Sequence, residues 1–315
     1  MNIGIDIGGT NIGAGLLNDD LDFVYKTEFP TENHKGYEFV ENKVINVIDK
    51  MMKIAEKEVS KIQSIGIGIP GIADKEGDNI VFCPNLHWRN KAMGTKLRQI
   101  FKTDVNIEND ATLAAIAENV LGVSRGYSSS VFITLGTGVG AGIIMGGKIY
   151  KGAHGVGSEI GHLIVGENFY DCNCGKNGCL ETFASSTAIE KYVLREIDKG
   201  RYDTKLFTRV NKIEDLNARH IFQCAAEGDE LCNKAVDRMV RYLTIGITNI
   251  INLLDPDIIV IGGGISKAGN FLIDRIKNLI PEYILFKDME YAELKLAKLG
   301  NDAGIIGAAM LSEYK

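Results

Sequence analysis

The chain has 315 residues, 45% of them hydrophobic and 24% charged, and a net charge of −6. This length is enough for two domains of ordinary size, and the composition is globular, which excludes a disordered or fibrous chain. The acidic balance argues against a general nucleic-acid-binding protein. Asp6 interrupts the first apolar run, so we expect no secretory leader and a cytoplasmic protein.

The predicted elements of the first half begin with two apolar strands around a glycine turn, within residues 3–17. An apolar face at helical spacing predicts a helix over 37–59, and a β-branched run predicts a strand over 64–69. Further along, the pattern predicts a short helix at 95–101, a strand at 104–108 and a helix at 111–121. Strands that alternate with helices favour a largely parallel sheet with both faces covered.

The uncharged stretch 128–147 has the length and the G-x-x-x-G spacing of a membrane helix. It carries six glycines within twelve residues, however, which makes it a poor helix former. We therefore predict two strands, 131–135 and 141–145, around a glycine loop, and no membrane partner.

The second half repeats the plan of the first, since residues 131–144 resemble residues 3–17. Its remaining predicted elements are a helix at 230–254, a strand at 257–261, a helix at 269–280, a strand at 293–297 and a helix at 302–311. This doubling predicts two related α/β domains with a cleft between them, and we expect the last helix to pack on the first domain. The predicted boundaries are 1–118 with 302–315 for a smaller domain and 119–301 for a larger one.

Glycine-rich turns suited to phosphate binding follow three of the predicted strands. The first places Asp6 before Gly8, Gly9 and Thr10, so that backbone N–H groups and a hydroxyl face a ligand while the carboxylate positions Mg²⁺ through water. The others are 135–140 and 261–266. Each is also explained as a tight turn that needs glycine, and none matches the P-loop pattern.

Glu108, Asn109 and Asp110 end a predicted strand just before a helix. One explanation is an N-cap, which Asn or Asp commonly supplies. The other is a base for a hydroxyl substrate, because a carboxylate that orients the nucleophile in phosphoryl transfer does not need a high pKa.

A compact group of potential metal ligands consists of His162, Cys172, Cys174 and Cys179. Four such ligands fill a tetrahedral Zn²⁺ site and leave no position for water, so we predict a structural zinc site rather than a catalytic one. The alternative is three incidental reduced thiols beside an unrelated histidine. Glu159 and Glu181 flank the group, either positioned by it or as ordinary surface acids.

Taken together, these motifs resemble the ROK family of sugar kinases and repressors, and most closely its bacterial glucokinases. The resemblance covers essentially the whole chain. It rests on DIGGT from residue 6, GIPG from 68, PNLHW from 84, ENDA from 108, LGTGVG from 135, EIGH from 159, CNCGKNGCLE from 172 and IGGGIS from 261.

The resemblance implies two actin-like, ribonuclease-H-type domains that close on MgATP and a hexose, with a zinc-binding insert. It implies that Asp110 is the catalytic base, and that His162 binds zinc with one ring nitrogen and sugar with the other. The implied sugar ligands are Asn85, Asn109, Asp110, Glu159, His162 and Glu181. The implied nucleotide-binding residues are Asp6, Gly8, Gly9, Thr10, Asn11, Gly136, Thr137, Gly138, Gly263 and Gly264.

Two other functions are alternatives to a hexose kinase. A sugar-responsive repressor of the same family would carry a helix-turn-helix, for which the sequence leaves no room before the first predicted strand. An actin-like ATPase does not account for the metal cluster with its flanking acids. Among sugars, glucose leads over N-acetylmannosamine, N-acetylglucosamine, fructose and allose, since PNLHW and CNCGKNGCLET look most like glucokinases. The family resemblance also suggests a homodimer. Polyphosphate is another phosphoryl donor among relatives.

Overall fold

The computed structural model describes residues 1–200, 204–210 and 212–315. By contacts between residues, the chain divides into two compact units, one of 1–132, 142–158 and 298–315 and one of 133–141 and 159–297. The predicted domain boundaries stay a prediction. No helix among the described residues is both long and apolar enough to cross a bilayer.

Strands and helices alternate along the first 120 residues. The strands are β1 (Asn2–Ile7), β2 (Asn11–Leu17), β3 (Phe23–Pro30), β4 (Ser64–Ile69), β5 (Ile72–Ala73), β6 (Ile80–Cys83), β7 (Trp88–Lys91) and β8 (Asp104–Asn109). The helices are α1 (Tyr37–Lys57), α2 (Met93–Phe101) and α3 (Asp110–Val120). β3 and the small sheet β5-β6-β7 were not predicted from the sequence.

The rest of the described chain adds five strands and a set of helices. The strands are β9 (Ser129–Leu135), β10 (Val139–Met145), β11 (Lys148–Ile149), β12 (Ile258–Gly262) and β13 (Glu293–Leu296). The helices are α4 (Glu181–Ala184), α5 (Ser186–Asp198), α6 (Ala218–Ala226), α7 (Glu230–Leu254), α8 (Asn270–Leu279) and α9 (Ala303–Ala309). The bounds predicted for β4 and α7 are confirmed, and the stretch 128–147 forms β9 and β10 as predicted.

The first sheet has the strand order β3-β2-β1-β4-β8. β1 pairs parallel to β4, and β4 pairs parallel to β8, but the β1–β2 and β2–β3 pairings are antiparallel. The prediction of a largely parallel sheet is therefore wrong here. The reason is that short turns join the first three strands, and a short turn can only reverse the chain, whereas helices join the parallel strands.

The parallel pairings bring three strand ends to one edge of this sheet. Asp6 on β1 is in register with Gly68 on β4, which is in register with Glu108 on β8. The glycine turn after β1 and the start of α3 after β8 therefore lie at the same carboxyl edge, where open α/β sheets bind their ligands.

The last helix, α9, packs backbone to backbone against the first sheet. A Cβ on Gly66 would overlap the carbonyl oxygen of Ala308, and one on Gly4 would overlap that of Ile305. Because a carbonyl in a helix cannot rotate away, a methyl group there must push the helix off the sheet.

We expect Gly66→Ala to lower the free energy of unfolding by about 2 to 3 kcal/mol, since overpacking a closely packed contact costs that much. Gly13→Ala is the matched control, because its Cβ would meet only the side chain of Ile305, with Cδ1 at 3.0 Å and Cγ1 at 3.3 Å. Side chains of this kind adjust at a cost below about 1 kcal/mol. Urea denaturation of both variants measures the difference, and equal losses would contradict the packing argument.

The second sheet has the strand order β11-β10-β9-β12-β13, and β12 pairs parallel to β13. β12, which lies between β9 and β13, is buried along its whole length. The turn after β12 begins at Gly263, which has φ of 82° and whose Cβ would lie 2.5 Å from the carbonyl oxygen of Leu135. Both the backbone conformation and the close contact with β9 thus require glycine.

Candidate functional site

The first unit contains eight of the predicted site residues. At the start of α3, hydrogen bonds show which residue is the N-cap, a question that the sequence left open. Asn109 is the N-cap, because its Oδ1 accepts hydrogen bonds from the backbone N–H of Ala111 at 2.9 Å and of Thr112 at 3.3 Å. Its Nδ2 donates to the carbonyl of Gly71 at 3.1 Å, which ties α3 to the end of β4. Asp110 is therefore not needed as the cap.

Asp110 is the first residue of α3, and its side chain is exposed. One carboxylate oxygen, Oδ1, accepts from the N–H of Ala111 at 2.8 Å. Hydrogen bonds and the helix N-terminus both favour the charged carboxylate. An exposed carboxylate fixed at the carboxyl edge of a sheet is suited to orient a substrate hydroxyl and accept its proton.

Glu108, directly before the cap, was not assigned a role from the sequence. Its buried side chain accepts from the N–H of Asn109 at 2.9 Å and pairs with Lys151, which follows β11. A buried carboxylate requires such a partner. No motif at Lys151 indicated this contact, because the pair joins residues 43 positions apart.

The first glycine turn is closed by hydrogen bonds of its own backbone. Gly8 N–H donates to the carbonyl of Asn11 at 2.9 Å, and the hydroxyl of Thr31 donates to the carbonyl of Gly8 at 2.7 Å. The side chain of Asn11 donates to Glu28 on β3 at 2.6 Å. Gly9 and Thr10 lie exposed at the tip of this fixed turn.

Asp6, beside that turn, is enclosed by glycines. A Cβ on Gly68 would lie 3.2 Å from Asp6 Oδ1, and one on Gly304 of α9 would overlap Oδ2. Burial raises the pKa of Asp6 above its ordinary value. A cation bound beside Asp6 would lower that pKa again, because an opposite charge favours the charged form of a carboxylate.

Asn85 lies in a short 3₁₀ turn between β6 and β7, with its side chain exposed. Buried Leu86 and Trp88 anchor this turn, and Trp88 packs edge-to-face on Tyr37 with ring centroids 5.2 Å apart. The PNLHW motif therefore presents its asparagine from a fixed turn.

The second unit brings the four predicted zinc ligands together, with their ligand atoms all within 4.8 Å of one another. Cys174 Sγ lies 3.6 Å from Cys179 Sγ, and Cys172 Sγ lies 3.7 Å from Nδ1 of His162. A tetrahedral Zn²⁺ ion separates two sulfurs by about 3.8 Å and a sulfur and a nitrogen by about 3.6 Å, given ordinary bond lengths. The arrangement fits that ion.

The two acids that flank this cluster differ in their surroundings. Glu159 Oε2 lies 4.0 Å from Nε2 of His162, the ring nitrogen that faces away from Cys172, and its side chain is half exposed. Glu181, the first residue of α4, lies with Oε1 3.8 Å from Cys172 Sγ. Its Oε2 accepts from the N–H of Val139 at 3.0 Å.

The second and third glycine turns line one cavity of about 910 Å³ in the second unit. Gly136 and Thr137 come from the loop after β9, and Gly264 comes from the turn after β12. Other lining residues, which the sequence did not indicate, are Ser186, Glu190, Asn217, Ala218, Arg219, Phe222, Gln223, Ala226, Ile265, Lys267, Ala268 and Phe271. A cavity of this size, with apolar walls and a few polar groups, is typical of small-ligand sites.

The model of the ROK family matches residues 2–315. The chain belongs to the ROK family. A glucokinase from Halalkalibacterium halodurans is 37% identical over 98% of this chain and 94% of that protein, and one from Thermotoga maritima is 34% identical over 98% and 96%. A ROK family glucokinase from Streptomyces griseus, solved with glucose and AMPPNP, aligns with a TM-score of 0.80 and 29% identity over 98% of each chain.

Membership in the ROK family confirms the resemblance recognised from the motifs, and the mixed α/β sheets are those of a two-domain α/β kinase fold.

Proposed function

We propose that the chain is an ATP-dependent glucokinase, which transfers the γ-phosphoryl group of ATP to the 6-hydroxyl of D-glucose. The observation that carries this proposal is an exposed carboxylate, Asp110, at the sheet edge that also holds Asp6 and the first glycine turn. Family membership and the glucokinase names of relatives at 34% and 37% identity support the same activity.

In this mechanism the sugar oxygen attacks the γ-phosphorus, its proton passes to Asp110, and ADP leaves with the bond between the β- and γ-phosphates broken. Loose phosphoryl-transfer transition states need orientation and charge stabilisation more than a strong base. Asn109 supports this role, because its two hydrogen bonds to α3 and one to Gly71 fix the backbone that carries Asp110.

We assign the cavity of the second unit to the adenosine of ATP. Gly136, Thr137 and Gly264 line it, and the rings of Phe222 and Phe271 give it an apolar wall. Gly138 and Gly263 belong to the same two glycine turns. In the first unit, Gly8, Gly9, Thr10 and Asn11 form the other phosphate-binding turn, and Asp6 would hold Mg²⁺ through water. Mg²⁺ neutralises phosphate charge when it is bound with the nucleotide.

We assign the sugar hydroxyls to polar side chains of both units, Asn85, Asn109 and Asp110 in the first and Glu159, His162 and Glu181 in the second. The geometry of His162 supports its double role, because Nδ1 faces Cys172 Sγ while Nε2 faces Glu159. A sugar hydroxyl would then bind at Nε2.

We propose that Zn²⁺ is held by His162, Cys172, Cys174 and Cys179 and has a structural role. With all four positions filled by protein, the ion fixes the loop rather than activating water. A bound zinc ion would hold Cys172, Cys174 and Cys179 as thiolates. Reduced thiols and a supply of ATP both suit the cytoplasm. The actin-like domain type and the homodimer, which the family resemblance implies, belong to the proposal as well.

The nucleotide assignment predicts the effect of filling the cavity. An added Cβ on Gly264 would meet nothing within 4 Å, so a larger side chain there extends into open space beside Ile265. We expect Gly264→Leu to raise the KM for ATP at least about tenfold and to leave the KM for glucose within about twofold, since steric loss in a pocket is worth at least that. Gly264→Ala is the matched control and should change either KM little. An unchanged KM for ATP in the leucine variant would place the adenosine elsewhere.

The reaction itself is tested by the product. Purified protein with MgATP and glucose should release ADP at a rate that depends on glucose, and ³¹P NMR should show glucose 6-phosphate in equal amount. Release of ADP at the same rate without sugar would instead indicate an ATPase, and phosphorylation at another hydroxyl would reject the assigned orientation of the sugar.

A further inference from the structure

Residues 181–187, which directly follow the zinc loop, hold the second glycine turn by three hydrogen bonds. Glu181 Oε2 accepts from Val139 N–H at 3.0 Å. Ser186 N–H donates to the carbonyl of Gly136 at 2.8 Å, and the hydroxyl of Thr187 donates to the carbonyl of Thr137 at 2.9 Å. One short segment therefore fixes the turn that lines the nucleotide cavity.

Of the three hydrogen bonds, only the one that Glu181 accepts from Val139 N–H involves a charged side chain. The turn leaves room for this carboxylate. A Cβ on Gly138 would overlap Glu181 Oε2. Gly138 has no positive φ that would itself require glycine. A side chain at position 138 would therefore displace the carboxylate from Val139 N–H. Hydrogen bonds from backbone N–H to a carboxylate are stronger than neutral ones.

The same segment is joined to the zinc loop. Glu181 Oε1 lies 3.8 Å from Cys172 Sγ. The buried hydroxyl of Thr182 donates to the carbonyl of Cys179 at 2.7 Å, and the carbonyl of Thr182 accepts from the side chain of Asn168 at 2.7 Å. A change in the zinc loop therefore moves the start of α4, and with it the carboxylate that holds Val139.

We propose that Glu181 is a positioning residue for the nucleotide-binding turn, in addition to any contact with sugar, and that zinc occupancy thereby sets nucleotide affinity. The inference rests on the proposed function, because it takes the cavity as the nucleotide site. It differs from a sugar-binding role in one respect: Glu181 and zinc act on nucleotide binding when no sugar is present.

The test is the Kd of MgAMPPNP measured by calorimetry without sugar. Glu181→Ala should weaken binding on the order of tenfold, because the turn loses a charge-assisted hydrogen bond. Glu181→Gln should stay within about twofold of the wild type, since an amide oxygen still accepts from Val139 N–H. Glu167→Ala is the matched control, because Glu167 is an exposed acid between His162 and Cys172 with no assigned role, and this variant should leave the Kd unchanged. If Glu181→Ala binds MgAMPPNP as the wild type does, the inference is overturned.

Hydrogen exchange tests the contact without nucleotide. The peptide over 136–141 should exchange faster in Glu181→Ala, and in wild-type protein from which a chelator has removed zinc, than in the zinc-loaded wild type. Equal exchange in all three would overturn the inference even if catalysis were impaired. A wild type that binds no MgAMPPNP, with this exchange pattern intact, would reject the proposed nucleotide site and leave the positioning contact established.

Discussion

Asp110→Asn is expected to lower kcat for glucose phosphorylation by about 10³-fold or more, the upper part of the range for loss of a general base. The amide keeps the size of the side chain and can still accept from the N–H of Ala111, but it cannot take the proton of the sugar hydroxyl. The Kd values for glucose and for MgAMPPNP should change by less than about threefold, because the helix start is capped by Asn109. Steady-state kinetics and calorimetry measure the two effects separately.

The matched control is Asp104→Asn, at the opposite end of β8. Asp104 is exposed and accepts from the side chain of Asn106 at 2.8 Å, which is a local contact. This variant should keep the wild-type kcat. If Asp110→Asn retained more than a tenth of the wild-type kcat, Asp110 would not be the base.

Cys174→Ser is expected to release zinc and to raise the KM for glucose at least about tenfold, the range found when support of a metal site is lost. Its exposed thiol lies 3.6 Å from that of Cys179, and serine is a much poorer zinc ligand than a thiolate. Loss of the ion frees the loop that carries Glu181 and His162. Elemental analysis should give one zinc per wild-type chain and far less in the variant.

Cys224→Ser is the matched control, a cysteine on α6 outside the cluster. It should keep one zinc per chain and the wild-type KM for glucose. Wild-type protein without zinc, or a Cys174→Ser variant that keeps its zinc, would contradict the assignment of the metal site.

Local patterns predicted much of the fold from the sequence, because helical spacing and β-branched runs report burial directly. The helix at 230–254 and the strand at 64–69 are examples. β3 was missed because its alternating exposure lacks a strong apolar run. β5, β6 and β7 are at most four residues long, and such short strands form only through their pairing with one another.

The candidate site could be predicted where its residues lie close together in the sequence. The cysteine cluster and the Asn109–Asp110 pair are of this kind, although only the hydrogen bonds of Asn109 decided which of the two is the cap. The wall of the nucleotide cavity could not be predicted, because Glu190, Phe222 and Phe271 come from three separate helices. The hydrogen bond from Val139 N–H to Glu181 could not be predicted either, because it joins residues 42 positions apart.

The central claim is that glucose is the phosphoryl acceptor and ATP the donor. The most direct measurement is kcat/KM for glucose, mannose, fructose, allose, N-acetylglucosamine and N-acetylmannosamine in a coupled ADP-release assay with MgATP, with a parallel series in which polyphosphate replaces ATP. We expect the highest kcat/KM for glucose with ATP, by at least about tenfold, because the proposed site binds each hydroxyl. A higher value for an N-acetylhexosamine or another sugar would contradict the choice of glucose, and no sugar-dependent ADP release with any of them would contradict the kinase itself.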